Sequence, residues 1–427
     1  MANTSYDYKD NAQSLAEAID TWGASAFSVV PPAADGADPA LKGASGARPV
    51  TAEIGPDDPE ALDEEAQESP DAWIGRVPPS VSFAVLSSQS ATGLERHLSP
   101  RYRFQSPVHW KAPIAVNPYA EKVERLTLRW LADLGCSFDL VDRARQFRLG
   151  HHAGIPFPLA PSEKTLRIAK YLSLWLLWND LSSDGHELHF RVRPEHVLSN
   201  RYPADFNPLE VGWLQILQEF AATRSPEWIT DLCRVMAALG TAAAAEGAAH
   251  RCYRDTGVLP SFTEGLKHCT GTSGLEGAVY LLEDAYDYEL PRSFHEHPTT
   301  RRLKSLASQI IGIGNDILSF GKDHAQHRFN LVSILMHENS LPVDAAMAEL
   351  VQMHNDTVSE YDCVTTELPR WSSAADYYVR RWLKDVRYAS LGFSLWAAGT
   401  PRYTAHKVLA NGKIIEPTFS YLASPRG

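Results

Sequence analysis

The sequence predicts an all-α fold, a helical bundle around a central cavity. Three observations lead there. From about residue 105 onward, apolar residues recur at helical spacing. Strand-like alternation is nearly absent. Glycine or proline punctuates the joints, at Pro226, Gly257, Pro260, Pro291, Pro342 and Pro369. Taken in order, Asn117-Pro118 opens a helix by cap and first-turn logic, and it runs to Leu134. Ser162-Glu163 opens the next, through Leu166, Ala169, Leu172 and Leu176 to Trp178. Further helices are expected near 208–224, 226–254, 261–287, 299–325, 342–366 and 373–398. Helices joined this closely pack as one bundle.

The first hundred residues differ. The stretch 31–39 and the acidic run 53–71 carry little apolar content and no period. Such composition cannot bury enough surface to offset chain entropy. Residues 1–100 are therefore expected to be a disordered or loosely docked arm, with 15–30 and 81–86 as patches able to touch the body, and 101–427 to be the helical domain. The formal charge of −12 argues against a nucleic-acid partner. Five scattered cysteines without C-x-x-C spacing argue against a disulfide scaffold or a zinc cluster and fit a reducing compartment. The polar start lacks a signal-peptide core, and the longest dense apolar run, 171–178, is too short to span a bilayer. A cytoplasmic protein with no stable membrane insertion is expected.

The most informative stretch is 315–323. Asn315, Ser319 and Asp323 are spaced i, i+4, i+8, so they climb one helix face. Three oxygen-bearing side chains there suit one hard divalent cation such as Mg²⁺, with Mn²⁺ as the substitute. Lys322 stands beside them, able to reach an anion that the metal holds. A solvated face with chance spacing is the ordinary alternative. A second oxygen cluster, Asn179, Asp180, Ser182, Ser183 and Asp184, follows the apolar helix that ends at Trp178. Asp180 and Asp184 are a turn apart, so their carboxylates could share a cation. Carboxylates at a helix C-terminus are disfavoured by the dipole, and a metal would offset that. A plain polar helix stop is the competing account. The third element is Arg402-Tyr403, a guanidinium fork and a phenol that together suit a phosphate. Trp175, Trp178, Tyr280, Phe320, Phe393 and Trp396 are candidate aromatic walls, although core packing is the commoner fate of such rings.

With these elements in this order, the chain resembles a class I terpene synthase of the microbial type, over roughly residues 105–405. The run 315–323 resembles the family's Asn/Ser/Glu metal motif, with Asp323 in the last place. The run 179–184 stands where the aspartate-rich motif is expected. Arg402-Tyr403 resembles the C-terminal Arg-Tyr pair, and 264–274 resembles the broken helix that touches substrate. The resemblance implies a class I terpenoid synthase bundle. It implies Mg²⁺-dependent ionisation of a prenyl diphosphate, farnesyl diphosphate first, followed by cyclisation. Asp180, Asn315, Ser319, Asp323, Arg402 and Tyr403 would carry the chemistry. Asn179, Asp180, Asp184 and the 315/319/323 ladder would hold metal. Lys322, Arg402, Tyr403, Trp175, Trp178, Phe320 and Trp396 would hold substrate.

Two departures stand out. The aspartate-rich motif opens with Asn179, a neutral ligand, where the family has Asp. The family's diphosphate-sensing arginine falls on Cys269; Lys267, His268, Arg251 and Arg254 are the nearby substitutes. Prenyl transfer to an acceptor, and a degenerate protein that binds without turnover, remain alternatives. A homodimer is left open.

Overall fold

A computed structural model describes residues 101–104 and 116–404, except 200 and 372, with three short strands after them. The arm expected over 1–100, with its two docking patches, lies outside the described residues. Fifteen helices are described: α1 (Ala120–Asp133), α2 (Phe138–Arg145), α3 (Leu149–Gly154), α4 (Ser162–Asp184), α5 (Pro194–Ser199), α6 (Pro208–Ala221), α7 (Pro226–Thr256), α8 (Phe262–Gly271), α9 (Leu275–Ala285), α10 (Arg292–His295), α11 (Pro298–Ala325), α12 (Leu331–Glu338), α13 (Val343–Thr365), α14 (Ser373–Gly399) and α15 (Pro401–Thr404). Four short strands accompany them. β1 (Arg101–Phe104) pairs in parallel with β4 (Thr418–Tyr421), and β2 (Val408–Ala410) pairs antiparallel with β3 (Lys413–Ile415).

The bundle forms around α4 and α11. Helix α4 is buried nearly all round at Tyr171, Leu172, Leu174, Trp175, Leu176, Leu177 and Trp178. A helix apolar on every side must be enclosed by neighbours, and α1, α3, α6, α7 and α9 enclose it. Helix α11 is two-sided. Ile313, Ile317 and Phe320 join a core with α12 and α13, built on Val332, Ile334, Leu335, Ala346, Met347 and Leu350. The stripe Gly312, Asn315, Asp316, Lys322 and Asp323 faces a cavity instead. Helices α7, α8, α9 and α14 pack around these two, and α15 closes against the end of α11.

Several expectations need correction. Helix α4 does not stop at Trp178. It continues to Asp184 and ends at Gly185, which takes the left-handed conformation (φ 106°) that ends many helices. The acidic cluster therefore sits within the last turns of a buried helix rather than in a polar loop. The single helix expected over 261–287 is two, α8 and α9, broken at 272–274 with Gly274 at φ 78°. The short helices α2, α3, α5, α10, α12 and α15 were not expected as separate elements; they are too brief to show a full helical period.

Capping explains where several helices start. Asn207 with Glu210 and Ser261 with Glu264 form reciprocal capping boxes on α6 and α8. Asn330 with Ser333 does the same on α12. This last cap also reaches the ladder helix, as described next.

Candidate active site

A cavity lies between α4, α7, α8, α9, α11, α14 and α15. Leu172, Trp175, Leu176, Ile311, Phe393 and Trp396 give it an apolar wall. Asn179, Glu246, Asn315, Asp316, Lys322, Asp323, Arg328, Arg402 and Tyr403 give it a polar rim.

The structure ties Ser319 and Asp323 into one network and Asn315 to α15. Ser319 Oγ donates to Asp323 Oδ2 at 2.5 Å. Asn315 Nδ2 donates to Tyr403 Oη at 2.8 Å, tying α11 to α15. Asn330 completes the set: its Nδ2 donates to Asp323 Oδ2 at 2.9 Å and to the Asp316 carbonyl at 2.8 Å. Asp316 Oδ2 in turn accepts from the Leu331 N–H at 2.8 Å, serving the start of α12. Burial acts to raise the Asp323 carboxyl, but Lys322, Ser319, Arg328 and Asn330 outweigh it and hold the group below its usual value. Burial, reinforced by Asp323, pushes Asp316 well above its own.

The second cluster is held differently. Both Asp180 oxygens accept from the Arg402 guanidinium, Oδ1 from Nη2 at 2.6 Å and Oδ2 from Nη1. Asp184 Oδ2 pairs with Arg143 at 2.6 Å, and Asp184 Oδ1 pairs with Arg328 at 2.5 Å. Arg328 Nη1 also lies 3.7 Å from Asp180 Oδ1. The cation expected between these two carboxylates is a metal; the group that lies between them in this structure is the Arg328 guanidinium. Burial acts to raise the Asp180 carboxyl, but Arg402, Lys322 and Arg328 together hold it far below the usual carboxylate range. These arginines also offset the unfavourable dipole at the end of α4.

The two clusters differ in how they fit a divalent cation. The ladder offers an anionic carboxylate, a hydroxyl and an amide on one helix face. Asp323 Oδ1 lies 3.6 Å from the Lys322 ammonium. That all-oxygen set suits a hard cation. Each oxygen of Asp180 and Asp184 is engaged by a guanidinium, so these arginines compete with a metal for the pair. Among the described residues, no group of three or more His, Cys, Asp or Glu side chains is arranged as a ready metal cluster.

The aromatic expectations divide. Trp175, Phe393 and Trp396 line the cavity. Trp396 stacks on His152 with ring centroids 3.7 Å apart and donates Nε1–H to the Phe147 carbonyl at 2.6 Å. Trp178 and Phe320 do not line it. Trp178 is buried against Phe190, and Phe320 belongs to the core shared with α12 and α13, each on a flank of its helix beside the cavity-facing stripe. Tyr280 packs against Trp228 and His295. Lys322 is buried at the rim, its ammonium 5.3 Å from the Tyr403 ring centre.

The substitutes considered for an arginine at 269 are elsewhere. Lys267 is exposed, Arg254 donates to the Ser183 carbonyl at 3.0 Å, and the Arg251 side chain lies beside Gly185. Cys269 lines the cavity as a buried thiol, and burial raises its pKa well above the usual value. Sequence reasoning missed Arg328, Asn330 and Glu246. Asn330 carried a signal, an N-cap residue before the apolar run 331–335. Glu246 is a lone carboxylate in the small-residue run 242–249 of α7. Its side chain accepts from Thr272 Oγ1 at 3.1 Å and Asn179 Nδ2 at 3.4 Å. Burial pushes it up to about 7.

Comparison with known proteins agrees with this geometry. Residues 170–360 match the model of terpene synthase family 2, C-terminal metal binding. The chain is 24% identical over 309 residues to an alpha-muurolene synthase of Coprinopsis cinerea, covering 69% of this chain and 72% of that one. It is 26% identical to the (+)-T-muurolol synthase ((2E,6E)-farnesyl diphosphate cyclizing) of Roseiflexus castenholzii, covering 69% and 92%. In fold it is similar to linalool/nerolidol synthase from Streptomyces clavuligerus, with a TM-score of 0.59 at 19% identity over 69% of this chain and 99% of that one. A bundle whose metal-binding segment spans both oxygen clusters defines the class I terpene synthases, enzymes that use divalent metal. Residues 170–360 of this chain match the metal-binding domain of terpene synthase family 2, and the chain shares the fold of these enzymes. No described helix is long and apolar enough to cross a membrane.

Proposed function

We propose that this chain ionises farnesyl diphosphate with the help of Mg²⁺ and cyclises the resulting allylic cation to a sesquiterpene, releasing diphosphate. The observation that carries the proposal is convergence. Asn315, Asp323, Lys322 and the Arg402–Tyr403 pair line one cavity whose wall is aromatic and aliphatic, and Ser319 stands behind them, bonded to Asp323. The farnesyl-diphosphate-cyclising relative supports the choice of substrate.

In this scheme Asn315, Ser319 and Asp323 would hold metal, and Asp180, Asp184 and Asn179 would complete the opposite side once the guanidiniums release them. Metal bound there supplies Lewis-acid stabilisation of charge on the departing diphosphate. Arg402 offers a fork to phosphate oxygens, and its buried Nε has no hydrogen-bond partner among the described residues. Tyr403 and Lys322 add an O–H and an ammonium. The rings of Trp175, Phe393 and Trp396 face positive charge in the chain below, and their wall keeps water from it. The break at 272–274 lines the same cavity. Residues 101–427 would form the catalytic domain, and the enzyme acts in the cytoplasm.

Incubation with farnesyl diphosphate and Mg²⁺, followed by gas chromatography with mass spectrometry, tests this. A cyclic hydrocarbon or alcohol is expected. Product only with an added acceptor would assign the cavity to prenyl transfer. Binding without any product would reduce the chain to a prenyl-diphosphate binder.

A further inference from the structure

We infer that Arg328 is a diphosphate-binding residue held in reserve, parked across Asp180 and Asp184 until the substrate's phosphates draw it off. The inference rests on the prenyl diphosphate reading above and names a residue which that reading does not use.

Four observations carry it. First, the Arg328 side chain is buried, 5% exposed, yet it lines the cavity. Second, its one guanidinium spans two carboxylates a helical turn apart, 2.5 Å from Asp184 and 3.7 Å from Asp180. Third, its backbone is fixed by its neighbours, and its head is held by the two carboxylates of α4. The Arg328 N–H donates to the Asp323 carbonyl at 2.8 Å, and His327 before it takes a left-handed turn at φ 50°. On its other side Asn330 is bound to Asp316 and Asp323, and the Phe329 ring packs 4.2 Å from His250. The backbone is thus wired to the ladder, and only the long side chain reaches across to α4. Fourth, position 269 brings a neutral thiol to the same cavity, so α8 brings no guanidinium there from that position.

A guanidinium fork prefers the geometry and charge density of phosphate oxygens, and it binds them bidentately. A diphosphate entering beside the ladder therefore competes with Asp184 and Asp180 for the same fork. When Arg328 turns to the diphosphate, the carboxylate oxygens it leaves become donors for divalent ions. One movement then supplies an anion clamp and opens the acidic cluster.

The test uses the full chain, Mn²⁺ read by electron paramagnetic resonance, and inorganic pyrophosphate read by calorimetry. Arg328→Ala is expected to change the two affinities in opposite directions. Mn²⁺ alone should bind at least threefold more tightly, because Asp184 Oδ1 is freed and a positive charge beside Asp180 is removed. Pyrophosphate in saturating Mn²⁺ should bind at least tenfold more weakly. Equal loss of both, or unchanged pyrophosphate affinity, would make Arg328 a structural counter-ion and overturn the inference. If Arg328→Ala does not fold, Arg328→Lys is used. It keeps a cation near Asp184 without the fork, so only the pyrophosphate affinity should fall, and its full retention would overturn the inference too. Failure of the wild-type chain to bind pyrophosphate with Mn²⁺ would instead sink the prenyl diphosphate reading.

Discussion

The end of α11 and the end of α4 face one cavity with similar side chains, yet the structure treats them in opposite ways. On α11, Asp323 is held by a serine hydroxyl and an asparagine amide, with Lys322 at a longer distance. On α4, Asp180 and Asp184 are held by Arg402, Arg328 and Arg143. Neutral donors fix a carboxylate while leaving it anionic and available. Guanidiniums fix it by cancelling it. The first arrangement is a site prepared for a cation, whereas the second must exchange partners before it can take one. Acidic spacing alone does not distinguish the two; the source of the counter-charge does.

Breaking the α11 side should cost most. Asp323→Ala removes the ladder's carboxylate, and turnover on farnesyl diphosphate is expected to fall about 100-fold or more, the scale of losing one preorganised electrostatic group. Near-normal product yield by gas chromatography would remove the ladder from the mechanism. On the α4 side, Asp180→Asn strands the buried Arg402. Leaving one member of a buried pair uncompensated costs about 3–5 kcal/mol. Urea denaturation should show that loss, and a wild-type midpoint would mean that Arg402 finds another partner.

Asn179→Asp sharpens the contrast. By ligand chemistry alone a carboxylate should improve the site. Asn179, however, donates to Glu246 at 3.4 Å, and the change would oppose two carboxylates there. The expected outcome is a stability loss on the order of 1 kcal/mol above pH 7, from replacing a hydrogen bond by repulsion. A variant as stable as wild type at pH 8 would contradict it.

Glu246 supplies a pH signature. Its folded-state pKa of about 7 lies above the ordinary value of 4.5, so the folded protein binds this proton more tightly than the unfolded chain. The associated stability is complete below the unfolded value and is lost as pH rises toward 7. Glu246→Gln should therefore melt higher than wild type at pH 8 and close to it at pH 4.5. Equal differences at both pH values would show that the carboxyl does not titrate as described. Cys269→Ala is expected to have the smallest effect, with turnover within about twofold, since a buried thiol at this position packs as a small hydrophobe. A large loss would give the thiol a role in the chemistry.

What could be read in advance follows the physics of each region. The ladder was legible because helical period alone places Asn315, Ser319 and Asp323 on one face. The bundle was legible from periodicity and punctuation, which repeat many times along the chain. The content of the α4 cluster was visible, but its state was not. Arg402 is 222 residues and Arg328 144 residues from the aspartates they hold, and no local pattern encodes such pairings. Trp178 was misplaced for a related reason. A helix buried on all sides gives no compositional hint of which flank adjoins a cavity and which adjoins core.

The break between α8 and α9 has one more consequence. At Gly274 an added methyl carbon would stand 2.8 Å from the Trp175 indole nitrogen, at a residue with φ 78°. The missing side chain is thus what permits that indole its present seat against the hydrocarbon chamber. Any larger residue must tilt the ring inward or straighten the bend, and either change recasts the mould in which the chain folds. Swapping this hydrogen for a methyl group is then a way to alter which ring system emerges while leaving the triggering apparatus intact.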